Sequence, residues 1–134
     1  MIELINKKIP IISDKIYKPF GEYSHAVLNK RSGLLVTSGQ LGMDRVGNIP
    51  NSISEQTKLC FNNINEILDE AKFSITHILR VNAFLTSREN IVEYMRVRDE
   101  FFSDLKIKPA STLLIVSGFN KPEFLVEVEV IAQK

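Results

Sequence analysis

A chain of 134 residues, 44% hydrophobic and 25% charged, is long enough to bury one core and too apolar for intrinsic disorder. Its net charge is +1, with Lys and Arg scattered instead of gathered into a stripe, which argues against nucleic acid as a partner. No apolar run approaches the roughly 20 residues of a membrane span, MIELINKKIP lacks a signal-peptide core, and the lone Cys60 cannot form an internal disulfide, so a cytosolic protein of one domain (residues 1–134) is expected.

Taken in chain order, a first strand is expected near Glu3 to Asn6. Tyr23 to Asn29 and Leu34 to Ser38 read as two short strands, with Lys30-Arg31-Ser32-Gly33 as a hairpin turn between them. Asp44 to Asn48 is a loop rich in turn residues. Ser52 and Glu55 have capping-box spacing and predict a helix start. Leu59, Cys60, Ile64, Ile67, Leu68 and Ala71 follow at helical spacing as one apolar stripe. Ile78 to Thr86 alternates as a strand, with Leu79, Val81, Ala83 and Leu85 on one face and Ile78, Arg80, Asn82 and Phe84 on the other. Thr86 and Glu89 repeat the capping spacing before a second helix whose core set is Ile91, Met95, Phe101, Phe102 and Leu105. That helix is closed by Lys106 to Pro109.

Lys108 to Ala132 reads as two strands joined by a turn at Gly118. In the second, Val126, Val128, Val130 and Ala132 share one face, and Leu125, Glu127, Glu129 and Ile131 share the other. The expected order is β-β-α-β-α-β-β after the N-terminal strand: an α+β fold whose two helices pack on one face of a mixed sheet. The other face, carrying Leu125, Ile131, Ile78 and Phe84, is left open, and in so small a chain this implies burial by copies of itself.

Glu127 and Glu129 are either a charged edge that blocks aggregation or a wall of a wet cleft in which one carboxylate holds or activates water. Ser38-Gly39 ends its strand where backbone N–H groups can approach a ligand closely, and Tyr23 lies at a loop-to-strand junction. Ser111 and Thr112 read as ordinary strand residues, since neither His25 nor His77 has a carboxylate partner in sequence to make a nucleophile's base. One Cys and two distant His offer no metal-ligand spacing, and Cys60 reads as packing.

FGEYSHAV, VTSGQ, the two capped helices, PAST and LVEVEVIA stand in the order and spacing of the Rid family, the reactive intermediate deaminases or YjgF-like proteins, and the chain resembles that family from about Phe20 to Ala132. The resemblance implies a chorismate-mutase-like fold and a homotrimer whose sheets form an inner β-barrel. It also implies a small-molecule ligand in each of three clefts between subunits. Deaminating members hydrolyse 2-imino acids and their enamine tautomers to 2-keto acids and ammonia, with no metal or cofactor. By resemblance Tyr23 is the cleft tyrosine, Ser38 and Gly39 the ligand-binding loop, and Glu127 the glutamate that holds the attacking water.

The chain departs from the family where deaminating members carry an arginine after Pro-Ala that clamps the substrate carboxylate, because that position is Ser111, followed by Thr112. Leu113 and Met95 depart as well, from a cysteine and an asparagine. A lost Arg–carboxylate contact costs about 2–5 kcal/mol, on the order of thirty-fold to several thousand-fold in affinity or rate. Expectation therefore divides between an imine or enamine hydrolase and a non-catalytic trimer that binds a metabolite or protein, with Arg80 as the candidate replacement cation.

Overall fold

The computed structural model describes residues 7–134. The strand expected near Glu3 to Asn6 lies outside them, and the first described strand is β1, Lys8–Ile11. The hairpin follows as expected, with β2 (Ala26–Asn29) and β3 (Leu34–Thr37) antiparallel and Gly33 at φ 77° in the turn, a conformation that favours glycine. β2 begins three residues later than expected, so Tyr23 belongs to the loop before it. A two-residue strand the sequence did not announce, β4 (Gln40–Leu41), pairs with the last strand.

Helix α1 (Ile53–Glu70) starts where its cap requires, the Glu55 N–H donating to Ser52 Oγ at 3.1 Å. Strand β5 (Ile78–Leu85) leads through a 3₁₀ turn (Arg88–Asn90) into α2 (Ile91–Phe101), and α2 returns to β6 (Ala110–Ile115), parallel to β5. The cap before α2 is Ser87, whose Oγ accepts the Glu89 N–H; Thr86 was expected there. Tyr94 and Val97 are the buried residues of α2, and Met95, expected in the core, is exposed.

The sheet runs β1-β2-β3-β7-β5-β6. β7 (Val126–Gln133) lies at its centre between β3 and β5, and β6 lies at the end, so the two strands joined through Gly118 do not pair with each other. A parallel neighbour needs a crossover, and α2 supplies it between β5 and β6. A bulge between Ile78 and Arg80 breaks the expected alternation in β5. Ile78 therefore turns into the core and Leu79 becomes exposed, while Val81, Ala83 and Leu85 are buried as expected.

Val126, Val128, Val130 and Ala132 pack against Cys60, Ile64, Ile67 and Leu68 of α1, and Phe61 stacks on Tyr94 and Phe101 of α2. Both helices thus cover one face of an α+β mixed sheet. The opposite face carries Val36, Ile131, Glu129, Glu127, Asn82, Phe84, Thr112 and Leu114, with Val36 and Leu114 exposed.

Candidate functional site

Glu127 sits on the open face of the central strand, level with Phe84 of β5 and Leu41 of β4. With neighbours on both sides, β7 is not an edge, so the aggregation-blocking account of its carboxylates does not hold. Glu127 is half-buried, and its pKa is raised above the ordinary glutamate value, first by desolvation and then by repulsion from Glu129.

Gly39 explains how that carboxylate fits. A Cβ placed there would stand 2.5 Å from Glu127 Cδ and 2.7 Å from Oε2, so any side chain at this position would have to displace the end of the Glu127 side chain. Gly39 also lines a cleft with Tyr23, Phe20 and Gln40. Tyr23 is partly exposed on its rim. Its hydroxyl oxygen accepts the Phe20 N–H at 3.0 Å, which leaves the phenolic proton free to donate.

Ser38 is tied into the fold by two hydrogen bonds. Its Oγ donates to the Ser24 carbonyl at 2.7 Å and its N–H to the His25 carbonyl at 2.8 Å, so it fastens the Tyr23 loop to the strand end. Thr112 shares the open face with Glu127 and accepts from Arg80 Nη1 at 2.8 Å, which places the Arg80 guanidinium beside that face. Ser111 points to the helix side of β6, so the sheet separates it from Glu127 within one protomer.

Three residues carry more than their sequence positions suggested. Buried His25 accepts the Ser13 N–H at Nδ1 (3.1 Å). Its Nε2 lies 2.8 Å from the Tyr17 carbonyl, which can only accept, so the ring is the neutral Nε2–H tautomer and pins the loop bearing Tyr17 to Tyr23. Gln56, fully buried, donates to the Pro50 and Glu123 carbonyls and accepts the N–H of Leu125, the residue just before β7 and two before Glu127. Arg98 reaches from α2 toward Ser111. Partners this distant in sequence leave no local pattern to find. Cys60 is buried, as expected of packing; its thiol is pushed up by burial and, secondarily, by Glu127.

Comparison with known proteins follows the same outline. The family model described as Endoribonuclease L-PSP matches residues 14–134. A RutC family protein of Buchnera aphidicola subsp. Schizaphis graminum is 35% identical over 119 residues, 87% of this chain and 91% of that protein. Another, of Pyrococcus abyssi, is 34% identical over 126 residues, 92% and 95% of the two chains. Among solved structures, the conserved Rid-family protein YyfA of Yersinia pestis superimposes with a TM-score of 0.88 at 29% identity, covering 95% of this chain and 99% of that one. Escherichia coli TdcF, solved with bound serine, shares the fold with a TM-score of 0.87 at 23% identity, over 94% and 98% of the two chains.

Proposed function

We propose that this chain, which belongs to the Rid or YjgF-like family described by the Endoribonuclease L-PSP model, is a hydrolase of small imines and enamines in which Glu127 handles the water. The observation that carries this reading is a half-buried carboxylate with a raised pKa, wedged against Gly39 beside the Tyr23 cleft. An imine carbon is already electrophilic, so an oriented water and one acid–base group suffice. Water adds to the C=N carbon while the Glu127 carboxylate takes its proton. The protonated acid returns that proton to nitrogen, giving a carbinolamine. The carboxylate then takes the carbinolamine O–H proton and passes it to nitrogen, so the C–N bond breaks and ammonia leaves as the carbonyl forms. The phenolic proton of Tyr23 is available to orient the ligand. The open sheet face supports assembly into a homotrimer with ligand clefts at the subunit boundaries, since its apolar residues need a cover. The net charge of +1, without a basic stripe, weighs against RNA as the substrate.

The test is turnover of 2-iminobutanoate trapped with semicarbazide, comparing wild type with Glu127→Ala and Ser111→Arg. Turnover should fall by about 10²- to 10⁴-fold in Glu127→Ala, the ordinary worth of a positioned acid–base group, and rise in Ser111→Arg. Wild type equal to buffer, with no gain from the arginine, would overturn the assignment to imino acids. The uncharged Ser111 favours a second reading, a non-catalytic module that binds a small metabolite. Thermal-shift stabilisation by a keto acid, with no turnover in any variant, would select that one.

A further inference from the structure

Helices α1 and α2 leave a groove of about 470 Å³ between them, on the side of the sheet opposite Glu127. Phe61, Val97 and Phe101 form its floor, with Lys58, Asn62 and Asn65 on the α1 wall and Glu100 on the α2 wall. We propose that this groove binds a free aromatic amino acid as its zwitterion.

The volume falls within the range of pockets that enclose small molecules, about 300–1,000 Å³, and the floor supplies the surface an aromatic ring needs. The Phe61 and Phe101 rings lie 4.8 Å apart, tilted by 31°. Phe61 is buried and Phe101 only half-buried, so Phe101 is the ring that the groove presents. A ligand ring set against it extends the aromatic pair in the offset or edge-on geometry that such rings prefer.

The asparagines are a second, independent sign. Asparagine is a poor helix former, because its amide competes with the backbone for hydrogen bonds. Three stand in the middle of α1, and the fold accounts for one of them: Asn63 is buried and donates to the Leu41 and Met43 carbonyls at 3.5 and 3.3 Å. Asn62 and Asn65 are exposed, three residues apart on one face, and both border the groove. Each amide offers a donor and an acceptor, so the pair can serve a carboxylate and an ammonium group of one ligand.

Charge sets the ligand's direction. Lys58 takes no part in the ion pairs among the described residues. Glu100 lies 3.6 Å from Arg96 Nη1, whereas Arg96 holds Glu93 more closely, at 2.7 Å. A free cation on one wall and a weakly paired carboxylate on the other suit a ligand carrying both signs. A lone anion or cation would meet one repulsive wall. Both side chains are exposed, so each charge contributes modestly, roughly two- to five-fold in affinity.

This groove goes beyond the hydrolase reading and is tested by binding alone, so its failure would leave Glu127 untouched. The full chain is titrated by amide NMR with L-phenylalanine and with three comparators. These are 2-phenylethylamine, which lacks the carboxylate, 3-phenylpropanoate, which lacks the ammonium group, and L-alanine, which lacks the ring. L-phenylalanine should give saturable shifts at the Asn62 and Asn65 side-chain amides, and each comparator should bind more weakly. Lys58→Gln should weaken L-phenylalanine roughly two- to five-fold and leave 2-phenylethylamine unchanged. Glu100→Gln should weaken it by a similar factor and leave 3-phenylpropanoate unchanged. Both substitutions alter exposed side chains, so they report on a folded protein. Shifts confined to Tyr23 and Gly39 would put the ligand in the cleft and overturn the proposal. So would the absence of saturable shifts, a comparator that binds as tightly as L-phenylalanine, or equal affinity in wild type and both variants.

Discussion

Glu127 is charged at a cost, because the sheet partly desolvates it and Glu129 repels it. Its folded-state pKa therefore lies above the 4.5 of a free glutamate, and the protein binds this proton more tightly folded than unfolded. The stabilisation that follows is fully present below that ordinary value and is lost as pH rises through the folded one. Glu127→Gln should accordingly raise the melting temperature at pH 7, with the difference closing as pH falls below about 4.5; a constant difference across pH 3–8 would contradict a raised pKa. The same acid crowds position 39. Gly39→Ala forces a methyl group into the Glu127 carboxyl and should cost about 1–3 kcal/mol, the usual range for overpacking. The double variant Gly39→Ala/Glu127→Ala should recover most of that loss in urea denaturation. Strict additivity of the two changes would show that the contact is not the cause.

At the scale of elements, capping chemistry decides where helices begin. Ser52 accepts the Glu55 N–H, so Ser52→Ala should cost about 1 kcal/mol. Thr86 holds the same spacing to Glu89, yet its cap role passes to Ser87, which opens a 3₁₀ turn before α2. Thr86→Ala should change stability by less than about 0.5 kcal/mol, as for a surface site away from any special feature. Chemical denaturation of the two variants side by side checks both values. On α2 the buried residues are Tyr94 and Val97, and Met95, about 100° round the helix from Tyr94, falls on the exposed side. In β5 a single bulge exchanges Leu79 for Ile78. Neither event leaves a mark in a local pattern of apolar residues.

For the whole molecule, the consequence is an open sheet face on which apolar Val36, Ile131, Phe84 and Leu114 surround the polar row of Glu127, Glu129, Asn82 and Thr112. A homotrimer closing through that face should show three times the 15.2 kDa chain mass in sedimentation, and Leu114→Lys should shift it toward monomer. A folded wild-type monomer at working concentration would exclude it. The α+β class, both helices, the β2–β3 hairpin and the buried face of β7 were legible from sequence, because each follows from spacing within a few residues. The motifs around Tyr23, Gly39 and Glu127 were legible as well. Strand order was not, because hydrogen bonding between β7 and its neighbours joins residues nearly a hundred apart in the case of β3 and about fifty apart in the case of β5. Tertiary structure alone made β7 central, set the Glu127 carboxylate against Gly39, and turned Ser111 toward Arg98 on the opposite face. A sequence fixes which way side chains alternate, whereas what each face meets depends on which strands become neighbours.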